Sequence, residues 1–334
     1  MIVPNPPSEG ASQATPTTTG PRNQVSGNPS LPLYLVPYGS NLRFFGRSSE
    51  LETLKETLDP SQAMTSPRAI GIHGLGGVGK SQLALRYANV SREIYPVIAW
   101  IAADDQILIK EGLSNLALRL GIASSETKND TYPLVSKVRD WLNAFKQPFL
   151  LIFDNLDDAG LLQKIWPSNN QGSIIITTRS PLEASMRAAQ TLALLPFSDD
   201  SAKKFLQTLV GRGPVDEDDE TALKEVCCLM GGLPLALVQI SDFIRDGCHD
   251  YKNFLALYKM SGDWMLKKLQ IPADYDEDCL TTWDASLKQL SGFASKLQKL
   301  LVFFDPDMIP ERLIWNPKFV IEDWRFAFLY SEFE

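Results

Sequence analysis

Gly74-Leu75-Gly76-Gly77-Val78-Gly79-Lys80-Ser81 fills every fixed position of the pattern G-x-x-x-x-G-K-[ST]. A phosphate needs several backbone N–H donors brought close together. Glycines let a loop wrap that tightly, and a helix that follows adds its positive end. The pattern assigns Lys80 to the β- and γ-phosphates and the Ser81 hydroxyl to Mg²⁺, with Gln82 next in the first helical turn. The context agrees. Ala69 to His73 is an apolar run that reads as a buried strand stopping at the glycines. Ser81 to Asn89 reads as a helix with Ala84, Tyr87 and Ala88 on one face. Strand, glycine loop and helix in that order imply a nucleotide site.

Phe149-Leu150-Leu151-Ile152-Phe153-Asp154 is an apolar strand that delivers an acid at its carboxyl end. That arrangement suits a carboxylate holding the Mg²⁺ shell, with a cap on the next helix as the lesser alternative. The next residue is Asn155. An amide positions water but cannot take its proton, so hydrolysis is expected to be slow. Asp157 and Asp158 read as solvated loop acids or a helix cap. A further strand, Ser173 to Thr177, ends in Thr178 and Arg179. An arginine there either faces a γ-phosphate or forms a surface salt bridge.

Outward from these motifs the chain divides in four. Residues 1–40 hold eight of the 22 prolines, and only Glu9 and Arg22 carry charge. Such a stretch buries too little apolar surface to offset its ordering entropy, which predicts a disordered tail or a linker. Residues 41–196 alternate strands with amphipathic helices, such as Ile109, Leu113, Leu116 and Leu120 or Leu134, Val138, Leu142 and Phe145. The strands are expected at 69–73, 97–102, 149–153, 173–177 and 191–195, which predicts an α/β fold with a parallel sheet covered on both faces. Residues 197–276 show helical spacing only, as in Leu237, Ile240 and Ile244. Residues 277–334 continue that pattern. The acidic run Asp216 to Glu220 reads as a solvated helix start.

The balance of 40 acidic against 32 basic residues gives a formal charge of −8, which disfavours nucleic-acid coating and membrane-surface roles. No apolar run reaches 18 residues, so no spanning helix is expected, and MIVPNPPSEG has no signal-peptide pattern. Cys227, Cys228, Cys248 and Cys279 form no CxxC pair, and only His73 and His249 could join them, so a zinc site is not expected. The four thiols fit a reducing cytoplasm.

Taken in order, these motifs resemble the NB-ARC group of STAND P-loop nucleotide-binding switches, in particular its fungal, NLR-like branch. The resemblance rests on Phe45-Gly46-Arg47 with Glu50-Leu51, GLGGVGKS, LLIFDN, GSIIITTR and Gly231-Gly232-Leu233-Pro234-Leu235-Ala236. It closes with TTWDASLKQL at 281–290 and FFDPDMIP at 303–310. It implies an AAA+-like sheet with the Ser173–Thr177 strand between the two motif-bearing strands. It also implies ADP or ATP with Mg²⁺ as ligand, Arg179 as a phosphate sensor, Pro234 near the adenine and Arg47 closing over the base, a plain salt bridge being the alternative for Arg47. On this basis the binding set is Arg47, Gly74, Gly76, Gly77, Val78, Gly79, Lys80, Ser81, Gln82 and Pro234. Lys80, Asp154 and Arg179 serve catalysis, and Ser81 and Asp154 serve the metal. The resemblance further implies a partial winged-helix domain from 277, homo-oligomerisation on activation and an effector protein as partner. Asn155 replaces the acid of many relatives, and no MHD-type motif follows. The expected function is an ADP/ATP switch core, a fragment or a truncated relative, that is at most a slow ATPase. The alternatives are a catalytic NTPase or small-molecule kinase, and a scaffold whose nucleotide is structural.

Overall fold

The computed structural model describes residues 31–123, 131–248 and 250–268. Six strands form one parallel sheet: β1 (Leu33–Leu35), β2 (Arg68–His73), β3 (Val97–Ala102), β4 (Phe149–Asp154), β5 (Gly172–Thr178) and β6 (Gln190–Ala193). Their spatial order is β1-β3-β4-β5-β2-β6. β5 therefore lies between the strand that feeds the glycine loop and the strand that ends in Asp154, as expected.

The strand sequences explain why both faces are covered. Along β2 to β5 alternate residues enter two different cores. Ile70, Ile72, Ile98, Trp100, Leu150, Ile152 and Ile175 face one, with α1 (Ser48–Leu58) and α2 (Lys80–Val90). Val97, Ala99, Ile101, Phe149, Leu151, Phe153, Ile174 and Ile176 face the other, with α3 (Gln106–Arg119) and α4 (Thr131–Ala144). Strands apolar on both sides are the requirement of a sheet buried by crossover helices. α5 (Pro181–Arg187) lies so close to β2 that a Cβ on Gly71 would come within 2.4 Å of the Ala184 carbonyl oxygen.

Within the proline-rich segment, Leu33–Leu35 form an edge strand paired with β3 in the register Leu33↔Val97. The Tyr34 hydroxyl donates to Asn89 at 3.1 Å. Three residues with an alternating pattern suffice at an edge once a neighbouring strand supplies the ladder.

After β6 the chain is helical: α6 (Asp199–Val210), α7 (Glu217–Leu229), α8 (Pro234–Phe243), a short π turn at Ile244–Cys248 and α9 (Tyr251–Lys268). Phe205, Leu223, Leu237, Tyr251 and Phe254 belong to the same continuous core as Ile70 and Leu150. The helical region thus shares a core with one face of the sheet. The expected winged-helix part at 277–334, the region 269–276, Cys279 and His249 lie outside the described residues.

One acid departs from its expected place. Asp216 caps α7, its carboxylate accepting from Asp219 N at 2.8 Å, as a helix start should. Asp219, however, is buried rather than solvated. Its Oδ1 accepts from Tyr251 N at 2.8 Å and Lys252 N at 3.0 Å, and its Oδ2 from Val215 N at 3.1 Å. It caps α9 from a different helix, where the N-terminal N–H groups and the dipole favour a carboxylate. Asp219→Ala leaves three backbone donors, the buried Tyr251 N–H among them, without their acceptor. The expected loss is about 2–4 kcal/mol, read as a melting temperature lower by about 4–16 °C.

Candidate nucleotide site

The glycine loop joins β2 to α2, and its conformation explains its composition. Gly74, Gly77 and Gly79 have φ of 149°, 78° and 99°, where side-chain-bearing residues are strained. Gly74 also has no room for a Cβ, which would sit 2.3 Å from the Leu194 carbonyl oxygen, and one on Gly77 would press on Leu235 Cβ at 3.1 Å. Gly76 is half-buried, and Val78 is fully buried. Gly79 opens α2 without a side-chain cap, and the first intrahelical bond runs from Leu83 N to Gly79 O at 2.9 Å. The N–H groups of Lys80, Ser81 and Gln82 therefore stand at the helix mouth with its positive dipole end, an arrangement made for an anion.

Lys80 is buried, and its Nζ donates to the Gly74 and Leu75 carbonyls at 2.9 Å each. Burial, aided by the nearby positive charge of Arg179 and opposed by Asp154, pushes the Lys80 ammonium down to about 8. The ammonium is thus short of negative charge where the loop opens. Ser81 Oγ donates to Asp154 Oδ1 at 2.7 Å, and Thr177 Oγ1 donates to the same oxygen. Burial raises the Asp154 carboxyl above the usual carboxylate range, against the pull of those two hydroxyls. A hydroxyl and a carboxylate side by side are hard oxygen donors of the kind Mg²⁺ takes alongside phosphate oxygens. The donor set fits a Mg-nucleotide.

β5 ends beside β2 in the register His73↔Thr178, which sets Arg179 at the loop and close enough to influence Lys80. Gln82 accepts from Asn41 Nδ2 at 2.8 Å, tying α2 to the segment before α1. Pro234 is buried in the first turn of α8, and the next residue, Leu235, donates its N–H to the Gly77 carbonyl at 3.2 Å. The helical region thus touches the glycine loop directly.

Arg47 holds an unusual place. It follows Gly46, and both have left-handed φ, 59° and 62° respectively. Its guanidinium donates to Glu50 at 2.9 Å, to the Val78 carbonyl at 3.3 Å and to the Leu195 carbonyl at 2.7 Å, and it lies 4.5 Å from the centroid of the Phe197 ring. These contacts offset a backbone cost of about 1–2 kcal/mol. The resemblance implies that Arg47 closes over a base; its polar partners here are the Glu50 carboxylate, the Val78 carbonyl on the loop and the Leu195 carbonyl on the segment between β6 and α6. Nothing in the sequence marks a backbone carbonyl as a partner, so this clamp was not legible there.

Asn155 is paired through both its backbone and its side chain. It adopts the left-handed region, φ 61°, which asparagine tolerates better than most residues. Its N–H donates to Thr177 Oγ1 at 2.9 Å, and its side-chain amide donates to Asp104 Oδ1. Asp158 caps the short 3₁₀ turn Ala159–Leu162, accepting from Gly160 N at 2.7 Å.

A parallel sheet with this loop, this strand-end acid and this strand order defines a P-loop NTPase. The family model described as the NB-ARC domain matches residues 47–216, more than half of the 334 residues, and the chain belongs to that family of nucleotide-binding signalling domains. It is 26% identical over 251 residues to a nucleotide-binding leucine-rich repeat (NLR)-like protein of Hyaloscypha variabilis, covering 68% of this chain and 25% of that one. It is 22% identical over 196 residues to disease resistance RPP8-like protein 3 of Arabidopsis thaliana, covering 56% and 22%. The chain therefore spans about a quarter of the length of these relatives, 25% and 22%. Among solved structures it is similar to a Signal Transduction ATPase with Numerous Domains (STAND) protein with a tetratricopeptide repeat sensor from Pyrococcus horikoshii. That match has 15% identity and a TM-score of 0.37, covering 82% of this chain and 36% of that one. Among the described residues no helix is long and apolar enough to cross a membrane.

Proposed function

We propose that the chain is a cytoplasmic ADP/ATP switch in which nucleotide exchange, more than turnover, changes how the helical region sits on the glycine loop. The observation that carries this reading is the bond from Leu235 N, in the first turn of α8, to the Gly77 carbonyl at 3.2 Å. A loop that rearranges around phosphates must move an acceptor that the helical region is holding. Lys80 and Arg179 would bind the γ-phosphate, Ser81 and Asp154 would hold Mg²⁺, and Pro234 would face the base. The Arg47 clamp between Val78 and Leu195 ties the loop to the segment between β6 and α6, so here it would set the loop's shape in addition to closing the base pocket. A ligand shifts such an equilibrium only by its differential affinity for the two states, and ATP differs from ADP at Lys80 and Arg179. Assembly into homo-oligomers and docking of an effector would follow from the state with bound ATP.

Denaturing the purified protein and identifying the released nucleotide by chromatography tests the site, together with melting temperatures in ADP and in ATP. One adenine nucleotide per chain is expected. Ligand at 1,000 times its dissociation constant should add about 4 kcal/mol of stability. No nucleotide and no shift with either ligand would overturn the proposal. Steady-state hydrolysis is expected far below the typical enzyme rate of about 10 per second.

A further inference from the structure

The residue after Asp154 is an amide, but the strand order supplies a carboxylate beside it. β3 and β4 are neighbours in the register Ala102↔Asp154, and Ala103 N donates to the Asp154 carbonyl at 2.7 Å. The next residue of the chain, Asp104, consequently emerges level with Asn155, whose side-chain amide donates to Asp104 Oδ1. Its neighbour Asp105 is committed elsewhere: as the cap of α3 its Oδ1 accepts from Ile107 N and Leu108 N at 2.7 and 2.8 Å. Asp104 is exposed at the carboxyl end of the sheet. It is close enough to Asp154 for its negative charge to help raise that carboxyl.

Asn155 is fixed from both sides. Its backbone N–H is held by Thr177, which also bonds Asp154, and its amide is held by Asp104. The chain Asp154–Thr177–Asn155–Asp104 runs from the magnesium-type donor pair to an exposed carboxylate. An amide next to an acid that follows the adjacent strand divides two tasks usually met by one acid, orienting water and accepting its proton.

We infer that Asp104, oriented by Asn155, is the carboxylate that accepts the proton of the water attacking the terminal phosphate of ATP. This rests on the nucleotide-switch reading above. In the step, the water oxygen bonds to the γ-phosphorus and the bond to the ADP oxygen breaks. The water proton passes to Asp104, and ADP and inorganic phosphate leave. Asp104 then returns the proton to phosphate or solvent. A base that stands in solvent just beyond the end of β3 fits slow turnover.

The test uses the full chain with Mg-ATP and reads three quantities: ATP affinity by equilibrium titration, single-turnover hydrolysis, and the nucleotide recovered from the protein afterwards. Asp104→Asn is expected to slow hydrolysis about 100-fold or more, to leave ATP affinity within about threefold (under 0.7 kcal/mol), and to leave ATP rather than ADP on the protein. Asp104→Ala should behave alike. The exchanged pair, Asp104→Asn with Asn155→Asp, puts the acid back across the same hydrogen bond and should recover at least about tenfold of the loss. Hydrolysis by Asp104→Asn at the wild-type rate would overturn the inference. So would an exchanged pair no faster than the single variant, or turnover and affinity lost in equal measure. ATP bound by the wild type but never hydrolysed above the blank sinks the inference and leaves the switch standing, whereas no ATP binding at all sinks both.

Discussion

Lys80→Ala loses most nucleotide affinity while its nucleotide-free form melts no lower than the wild type. The first half follows from charge. A phosphate seated on the loop draws on the helix mouth at Lys80, Ser81 and Gln82 and on one buried ammonium. Removing one partner of a buried, hydrogen-bonded charge pair costs about 2–5 kcal/mol, which is a loss of roughly 30-fold to 1,000-fold or more in the dissociation constant. The second half follows from where the ammonium sits without phosphate. Two carbonyls hold it at 2.9 Å, yet burial and Arg179 still bring its pKa down from 10.5 to about 8. The folded state therefore disfavours the charged form. Between about 8 and 10.5 the unfolded chain binds the proton that the folded chain has lost, so this group makes stability rise with pH across that window. At neutral pH the charge counts against folding, and alanine removes that liability. Isothermal titration and thermal melts, with and without ADP, check both halves. Retained tight binding would remove the phosphate role of Lys80, and a collapsed melting temperature would mean that Lys80 is structural.

What the sequence made legible follows from how tightly chemistry constrained it. The phosphate loop could be read because three of its glycines sit at φ values that other residues resist, leaving little freedom at those positions. The sheet could be read because strands covered on both faces are apolar throughout, and the strand at Ser173 fell between its partners as expected. Features that depend on distant backbone or on strand order could not be read. β1 is three residues in a proline-rich stretch, and only the edge of β3 makes it a strand. Arg47 binds a carbonyl 148 positions away, and carbonyls have no sequence signature. Asp219 looked like one of five acids in a row, whereas its neighbours stay wet and it alone is drawn under α9. Asp104 and Asn155 lie 51 positions apart and meet only because β3 and β4 pair. Helical spacing located α8 but gave no sign that its first turn rests on the loop.

That last contact leads to the other large effect, at Gly232. α7 ends in Gly231 and Gly232, both with left-handed φ, 58° and 63°, and both donate back to α7 carbonyls, at Cys228 and Cys227. This is the usual closure of a helix by residues without a Cβ penalty. The two glycines differ in surroundings. A Cβ on Gly231 meets nothing within 4 Å, whereas one on Gly232 would lie 2.4 Å from the Phe197 carbonyl oxygen, on the segment between β6 and α6. Phe197 N also donates to the Gly232 carbonyl at 2.9 Å. Three residues further on, Leu235 donates to Gly77. Gly231→Ala should therefore cost only the left-handed backbone penalty, about 1–2 kcal/mol. Gly232→Ala adds a clash with backbone that cannot swing aside, for a total of about 2–5 kcal/mol and a melting temperature lower by about 4–20 °C. Because the same displacement pulls α8 off the loop, Gly232→Ala should also reduce the extra stability conferred by saturating ADP. Gly231→Ala should leave that increment intact. Equal ADP increments in both variants would mean that the loop holds its nucleotide without help from the helical region. The tie between Leu235 and Gly77 would then be packing rather than coupling.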